Sequence, residues 1–273
     1  MNKLSVEEKT RIIGALVEGN SIRATCRMTG HSKGAVLKPL AEVGQACMDF
    51  HDRKVRNVRS RRIQCDEIWA FCYAKEKNVP KKLKGQFGYG DVWTWTAIDA
   101  DSKLCVSWNV GDRSAQTAYA FIHDLAERLT NRVQLTTDGH RAYLEAVEDA
   151  FGGDIDYAML IKLYGSSQEE TRYSPAQCIG SRREPIAGEP DPEHISTSFV
   201  ERQNLTIRMN MRRFTRLTNG FSKKVANLMH AISLHFVYYN FVRIHQTLRV
   251  TAAMEAGIAE SPMEIRDITL LTE

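Results

Sequence analysis

The sequence predicts an α/β protein with a helical N-terminal segment, and three observations carry that expectation. Serines stand ahead of apolar-periodic runs near the start of the chain, strand-like runs rich in Val, Ile, Trp and Phe fill 61–110, and helix-period runs alternate with short strand-like ones after it. Ser5 is placed to cap a helix over 6–18, with Ile12, Ile13, Leu16 and Val17 on one side and Gly19-Asn20 as its stop. Ser21 starts a second helix reaching Met28, Gly30 supplies a turn, and Ser32 starts a third helix carrying Ala35, Val36 and Leu40. Short helix, glycine turn and helix is the order of a helix-turn-helix. Pro39 is expected to kink or end the third helix, because proline removes a backbone donor. His31 stands where a buried aliphatic residue is expected.

Arg61 to Tyr73 reads as a strand, and 91–99 with 103–110 as a hairpin around Ala100-Asp101-Ser102. Ser114 caps a helix in which Ala118, Phe121, Ile122, Leu125 and Leu129 recur at helical spacing. A strand ending at Asp138, a helix over 141–151 and a strand over 157–163 follow. Three strands, a helix, a strand, a helix and a strand match the order of a ribonuclease H-like core. The stretch 165–194, poor in apolar residues and holding Pro175, Pro185, Pro190 and Pro192, reads as a long loop. A helix from near Ser198 and another over 222–242 close the pattern. The expected division is a helix-turn-helix domain over 1–48, a basic linker over 49–61, a catalytic domain over 62–250 and a tail over 251–273.

The chain has 273 residues, 43% of them hydrophobic, enough for an ordinary core and a small second unit. Its net charge of +4 says little about partners by itself, but the basic residues cluster. Arg53, Lys54, Arg56, Arg59, Arg61 and Arg62 form one group, Lys75 to Lys84 a second, and Arg202, Arg208, Arg212, Arg213, Arg216, Lys223 and Lys224 a third. The six cysteines show no C-x-x-C spacing, so they read as reduced thiols of a cytoplasmic protein and no zinc is expected. No stretch approaches the roughly 20 apolar residues of a membrane span, so no membrane partner is expected.

Three carboxylates carry the chemistry. Asp66 lies within a strand, where an unpaired carboxylate is costly and a cation would relieve it. Asp138 ends its strand before Gly139, where side chains meet ligands, the lesser alternative being that it or His140 starts the next helix. Glu201 lies one turn into a helix, with Arg208 and Arg212 seven and eleven positions on along the same stripe and Asn204 near the same surface. Glu67 is set aside because neighbouring strand residues point to opposite faces. Converging acids suit Mg²⁺, with Mn²⁺ as an alternative, and guanidinium groups suit phosphate. Lys33, Lys38, Arg56, Arg59, Arg202, Asn204, Arg208 and Arg212 are the candidate DNA contacts.

Asp66-Glu67-Ile68-Trp69, Thr136-Thr137-Asp138-Gly139 and Val200-Glu201-Arg202-Gln203-Asn204-Leu205-Thr206-Ile207-Arg208 resemble the acidic segments of insertion-sequence transposases of the founding, first-numbered family. Phe214 to Asn219, Phe221 to Lys224 and Tyr239 to Leu248 extend the resemblance along nearly the whole chain. It implies a DDE transposase with a ribonuclease H-like catalytic domain, Asp66, Asp138 and Glu201 as Mg²⁺ ligands, and double-stranded DNA, both terminal inverted repeats and target, as partner. The N-terminal zinc-binding cysteines common in that family are absent, as is a proline near Thr251-Ala252-Ala253. Joining two ends requires a homodimer or larger assembly on DNA. Two other readings use the same residues: a helix-turn-helix regulator without catalysis, and a ribonuclease H-type nuclease without strand transfer.

Overall fold

Serine side chains set the first three helices. Ser5, Ser21 and Ser32 each accept a backbone hydrogen bond at the head of α1 (Val6–Val17), α2 (Ile22–Thr29) and α3 (Lys33–Lys54) in the computed structural model, which describes residues 4–165, 177–215 and 219–273. Gly30, at a φ of 72°, ends α2 in the left-handed conformation. Pro39 does not interrupt α3. Val36, Leu40, Val43 and Cys47 are buried along that helix, and their packing outweighs the missing donor. The linker expected over 49–61 is therefore helical as far as Lys54, and Val55 and Val58 beyond it are buried.

The central sheet has six strands, β1 (Arg62–Cys72), β2 (Gly90–Asp99), β3 (Cys105–Gly111), β4 (Gln134–Asp138), β5 (Asp156–Gly165) and β6 (Gln177–Ala187), in the order β3-β2-β1-β4-β5-β6. β1, β2 and β3 are antiparallel, β4 runs parallel to both β1 and β5, and β6 returns antiparallel to β5. β6 lies within the stretch read as a loop; residues 166–176 of that stretch lie outside the described residues. Helices α4 (Ala115–Arg128) and α5 (Ala142–Phe151) connect β3 to β4 and β4 to β5. Ile63 and Cys65 of β1 pack in one cluster with Phe121 and Tyr143, whereas Ile68, Ala70 and Cys72 pack in a second with Ile207, Leu228 and Phe236. Helices thus cover both faces, which is why most positions of β1 are buried.

The second face is covered by α6 (Ser198–Asn210) and α7 (Val225–Val237), which continues as a wider turn through Val242. α7 starts three residues later than expected because Ser222 bridges to Cys72 at the end of β1. Two short helices, α8 (Ala252–Glu255) and α9 (Ile265–Leu270), complete the chain, and α9 packs on α1. One apolar cluster joins Ile13, Val17 and Leu40 to Ile63, Trp95 and Ile268, so the N-terminal helices and the tail share the core of the sheet. No helix among the described residues is long and apolar enough to cross a membrane.

α3 and α7 meet at Gly44. A Cβ there would stand 2.5 Å from His230 Cβ and 2.7 Å from its carbonyl oxygen, and the Ser233 hydroxyl donates to the Gly44 carbonyl at 2.5 Å. Gly44→Ala should destabilise the fold by about 1–3 kcal/mol through overpacking, despite alanine's better helix propensity. Urea denaturation checks this, and a stabilised variant would refute the close helix contact.

Candidate active site

β4 stops at Asp138 while β1 continues to Cys72, and the last β1–β4 pair is Gln64 with Thr136. Beyond that pair the β4-facing edge of β1 is open, and the next even position, Asp66, looks onto the end of β4. Gly139 lets the chain turn away, since a Cβ there would come within 3.2 Å of Ile161 Cγ1. Asp138 is held by the His140 backbone, whose N–H donates to Oδ1 at 2.9 Å. Both Asp66 oxygens are also held. Oδ1 accepts from the Glu67 N–H at 2.8 Å and Oδ2 from Asn204 Nδ2 at 2.8 Å.

Carboxylate oxygens of Asp66, Glu67 and Asp138 lie within 4.8 Å of one another. Strand alternation, the ground for setting Glu67 aside, does hold locally, for Cys65 packs beside α5 and Ile68 beside α6. Asp138 still pairs with Leu160 of β5 but lies past the end of its pairing with β1, so its carboxylate can meet residues from both faces of β1. Glu67 Oε2 pairs with the Arg113 Nη2 at 3.0 Å, and the same guanidinium reaches Asp138 at 3.4 Å. The Tyr143 hydroxyl acts on Glu67 from the buried side, although neither it nor Glu67 Oε1 makes a well-formed hydrogen bond.

Burial and mutual repulsion between carboxylates dominate the electrostatics of the cluster. Burial, then the neighbouring Asp138, pushes the Asp66 carboxyl up to about 7, with Glu201 adding to the rise and Lys162 opposing it. Burial and Asp138 also push Glu67 up to about 7, against the nearby Tyr143 hydroxyl and the charge of Arg113. His140 is lowered by burial and by Arg113. An all-oxygen donor set with raised carboxyls is the chemistry of a hard divalent cation site, so these residues fit such an ion.

Glu201 sits outside the tight trio yet close enough to act on Asp66. It is held from two sides, by Lys162 Nζ at 2.5 Å and by the Thr197 hydroxyl at 2.5 Å. Partial burial works against the Lys162 ammonium, but the pairing with Glu201 prevails and raises its pKa.

The remaining candidates separate. Asn204 is buried and bonded to Asp66, so it orients that acid and is not placed to touch DNA. Arg212 lies past the end of α6 in a short 3₁₀ turn, off the Glu201 stripe, because the helix stops at Asn210. Arg56 is tied to Asp52 and, at 3.6 Å, to Glu127. Lys38 pairs with Glu42 at 3.7 Å, Lys33, Arg59 and Arg202 are exposed, and Arg208 is half-buried. Arg113 and Lys162, the two cations of the site, carry no signal in the sequence that separates them from other basic residues. Of the cysteines, Cys47, Cys65, Cys72 and Cys105 are buried free thiols, whereas Cys178 is exposed on β6.

No family model matches the chain, and no curated protein matches it. Among solved structures it is similar to a piggyBac transposase in a synaptic complex with hairpin DNA, at 10% identity and a TM-score of 0.44, covering 99% of this chain and 72% of that one.

Proposed function

We propose that the chain is a DNA transposase of the DDE type, a polynucleotidyl transferase that cleaves the ends of an insertion sequence at its terminal inverted repeats and joins them to target DNA. What supports this reading is the close approach of Asp66 in β1 and Asp138 at the end of β4, beside the open edge of a mixed sheet, with the α6 residue Glu201 near enough to act on Asp66. The strand order, with three antiparallel strands followed by two parallel ones, agrees with a ribonuclease H-like core. On this reading Asp66, Asp138 and Glu201 hold Mg²⁺, which when bound lowers the pKa of an attacking water or 3′-hydroxyl and stabilises the leaving oxygen. Glu67 is left out of the ligand set because its side chain is fully buried and engaged by Arg113.

The chain's own residues prepare that site. Asn204 and the Glu67 N–H fix the two oxygens of Asp66, and Lys162 and Thr197 fix Glu201. Arg113 offsets the repulsion between Glu67 and Asp138. Lys33, Arg59, Arg202, Arg208 and Arg212 supply cationic contacts for the DNA backbone, and α1–α3 serve as the end-binding helices, with two copies required to pair two ends.

The test uses purified full-length protein, labelled terminal DNA and Mg²⁺. Joined strands are expected; cleavage without joining would leave a nuclease, and binding without either would leave a regulator.

A further inference from the structure

A cavity of about 680 Å³ lies between the N-terminal helices, the turn after α6 and the flank of α7, and the acidic site contributes none of its walls. Arg23, Lys33, Arg212, Arg213 and Lys223 line it, and no aspartate or glutamate does among the described residues. The carboxylate nearest in sequence, Glu18, accepts instead from the Tyr238 hydroxyl at 2.8 Å.

Two features go beyond a basic surface. First, Arg213 carries its guanidinium into the protein without an acid beside it. Burial lowers it to about 10, no carboxylate is among the charges acting on it, and its Nε is shut off from solvent with no hydrogen-bond partner. His235, fully buried in the same wall, likewise has an unpartnered Nδ1. Second, Arg23 of α2 and Lys33 of α3 sit at the unfavourable ends of their helices. Arg23 and Lys33 occupy first turns that contain no acidic residue, where the helix dipole favours negative charge, whereas α1 has Glu7 and Glu8 in its first turn. An anion in the cavity would resolve both oddities at once. Guanidinium forks with ammonium groups suit the several oxygens of a phosphate better than a single carboxylate.

We infer that this cavity is a phosphate site, floored by Arg213 and closed by Arg23 and Lys33, which takes either a backbone phosphate of DNA or a free phosphate group. It stands independently of the acidic site, and its test needs neither Mg²⁺ nor DNA cleavage. Inorganic phosphate is titrated into the full chain in metal-free buffer, followed by calorimetry and thermal unfolding. Phosphate should bind and raise the melting temperature, Lys33→Ala and Arg23→Ala should each weaken binding about tenfold, and the surface control Arg266→Ala should not.

Arg213→Met should abolish the phosphate-dependent shift while leaving the ligand-free melting temperature unchanged or higher, because it removes a buried charge with no acid partner. A purely structural arginine would lower it. Absence of any phosphate shift, or a shift undiminished by Lys33→Ala and by Arg23→Ala, overturns the site. Displacement of phosphate by a short duplex identifies the source as DNA, and retention identifies a free phosphate ligand. Asp66→Asn should keep full phosphate binding, so a failed transposase assay and a failed phosphate site remain distinguishable.

Discussion

Asp66→Asn should lower DNA cleavage and joining by at least about a thousandfold, equivalent to about 4 kcal/mol of transition-state stabilisation. Duplex binding should stay within a few-fold of the parent. Asparagine preserves the size of the side chain and keeps one oxygen to accept from Asn204 or from the Glu67 N–H, so the loss would come from charge and one acceptor and not from shape. The same substitution should make the metal-free protein more stable at pH 8, since it removes a carboxyl that burial and Asp138 push up to about 7. Loss of activity together with a gain in stability is the signature of a residue kept for its chemistry. Band-shift, strand-joining and thermal-unfolding measurements on one preparation decide it. An active variant would remove Asp66 from the catalytic set.

What the sequence shows of this fold depends on how local the governing interaction is. The caps at Ser5, Ser21, Ser32 and Ser114 act within three residues, and each of the four helices begins where its serine indicates. Pro39 misleads because its cost is local while the burial of α3 against α7 is not. β6 misleads for a related reason. It has no apolar alternation because it is paired on one side only, by β5, and Pro185 sits opposite Ala158 at a register irregularity, where an edge strand tolerates proline.

The site divides in the same way. Asp66 and Asp138 stand out as acids in or at the end of apolar strands, and Glu201 stands out on an amphipathic helix. Arg113 and Lys162 do not stand out, because their partners Glu67 and Glu201 come from other elements and only the tertiary fold pairs them. Asn204 reads as a surface polar residue beside arginines until α6 is laid against β1, where it becomes a buried donor to Asp66. Glu67 exposes the limit of strand parity: alternation assigns faces, but it does not say that a neighbouring strand ends and lets one carboxylate meet residues of both.

Glu67→Gln should raise the stability of the metal-free protein by roughly 1–2 kcal/mol at pH 8 and change it little near pH 4. Its folded pKa of about 7 lies above the ordinary glutamate value of 4.5, so the protonated carboxyl supports the fold fully below about 4.5. That support is lost as pH rises towards 7, leaving an ionised, buried group beside Asp138. Loss of the Arg113 pairing subtracts from the gain, although Arg113 still reaches Asp138 and is partly exposed. Added Mg²⁺ should stabilise the parent more at pH 8 than at pH 5.5, because binding requires the protons on Asp66 to leave. Glu67→Gln should retain that Mg²⁺ shift, whereas Asp138→Asn should remove most of it. If Glu67→Gln instead abolishes the shift, the cation is held by the tight trio of Asp66, Glu67 and Asp138, and Glu201 acts only from outside.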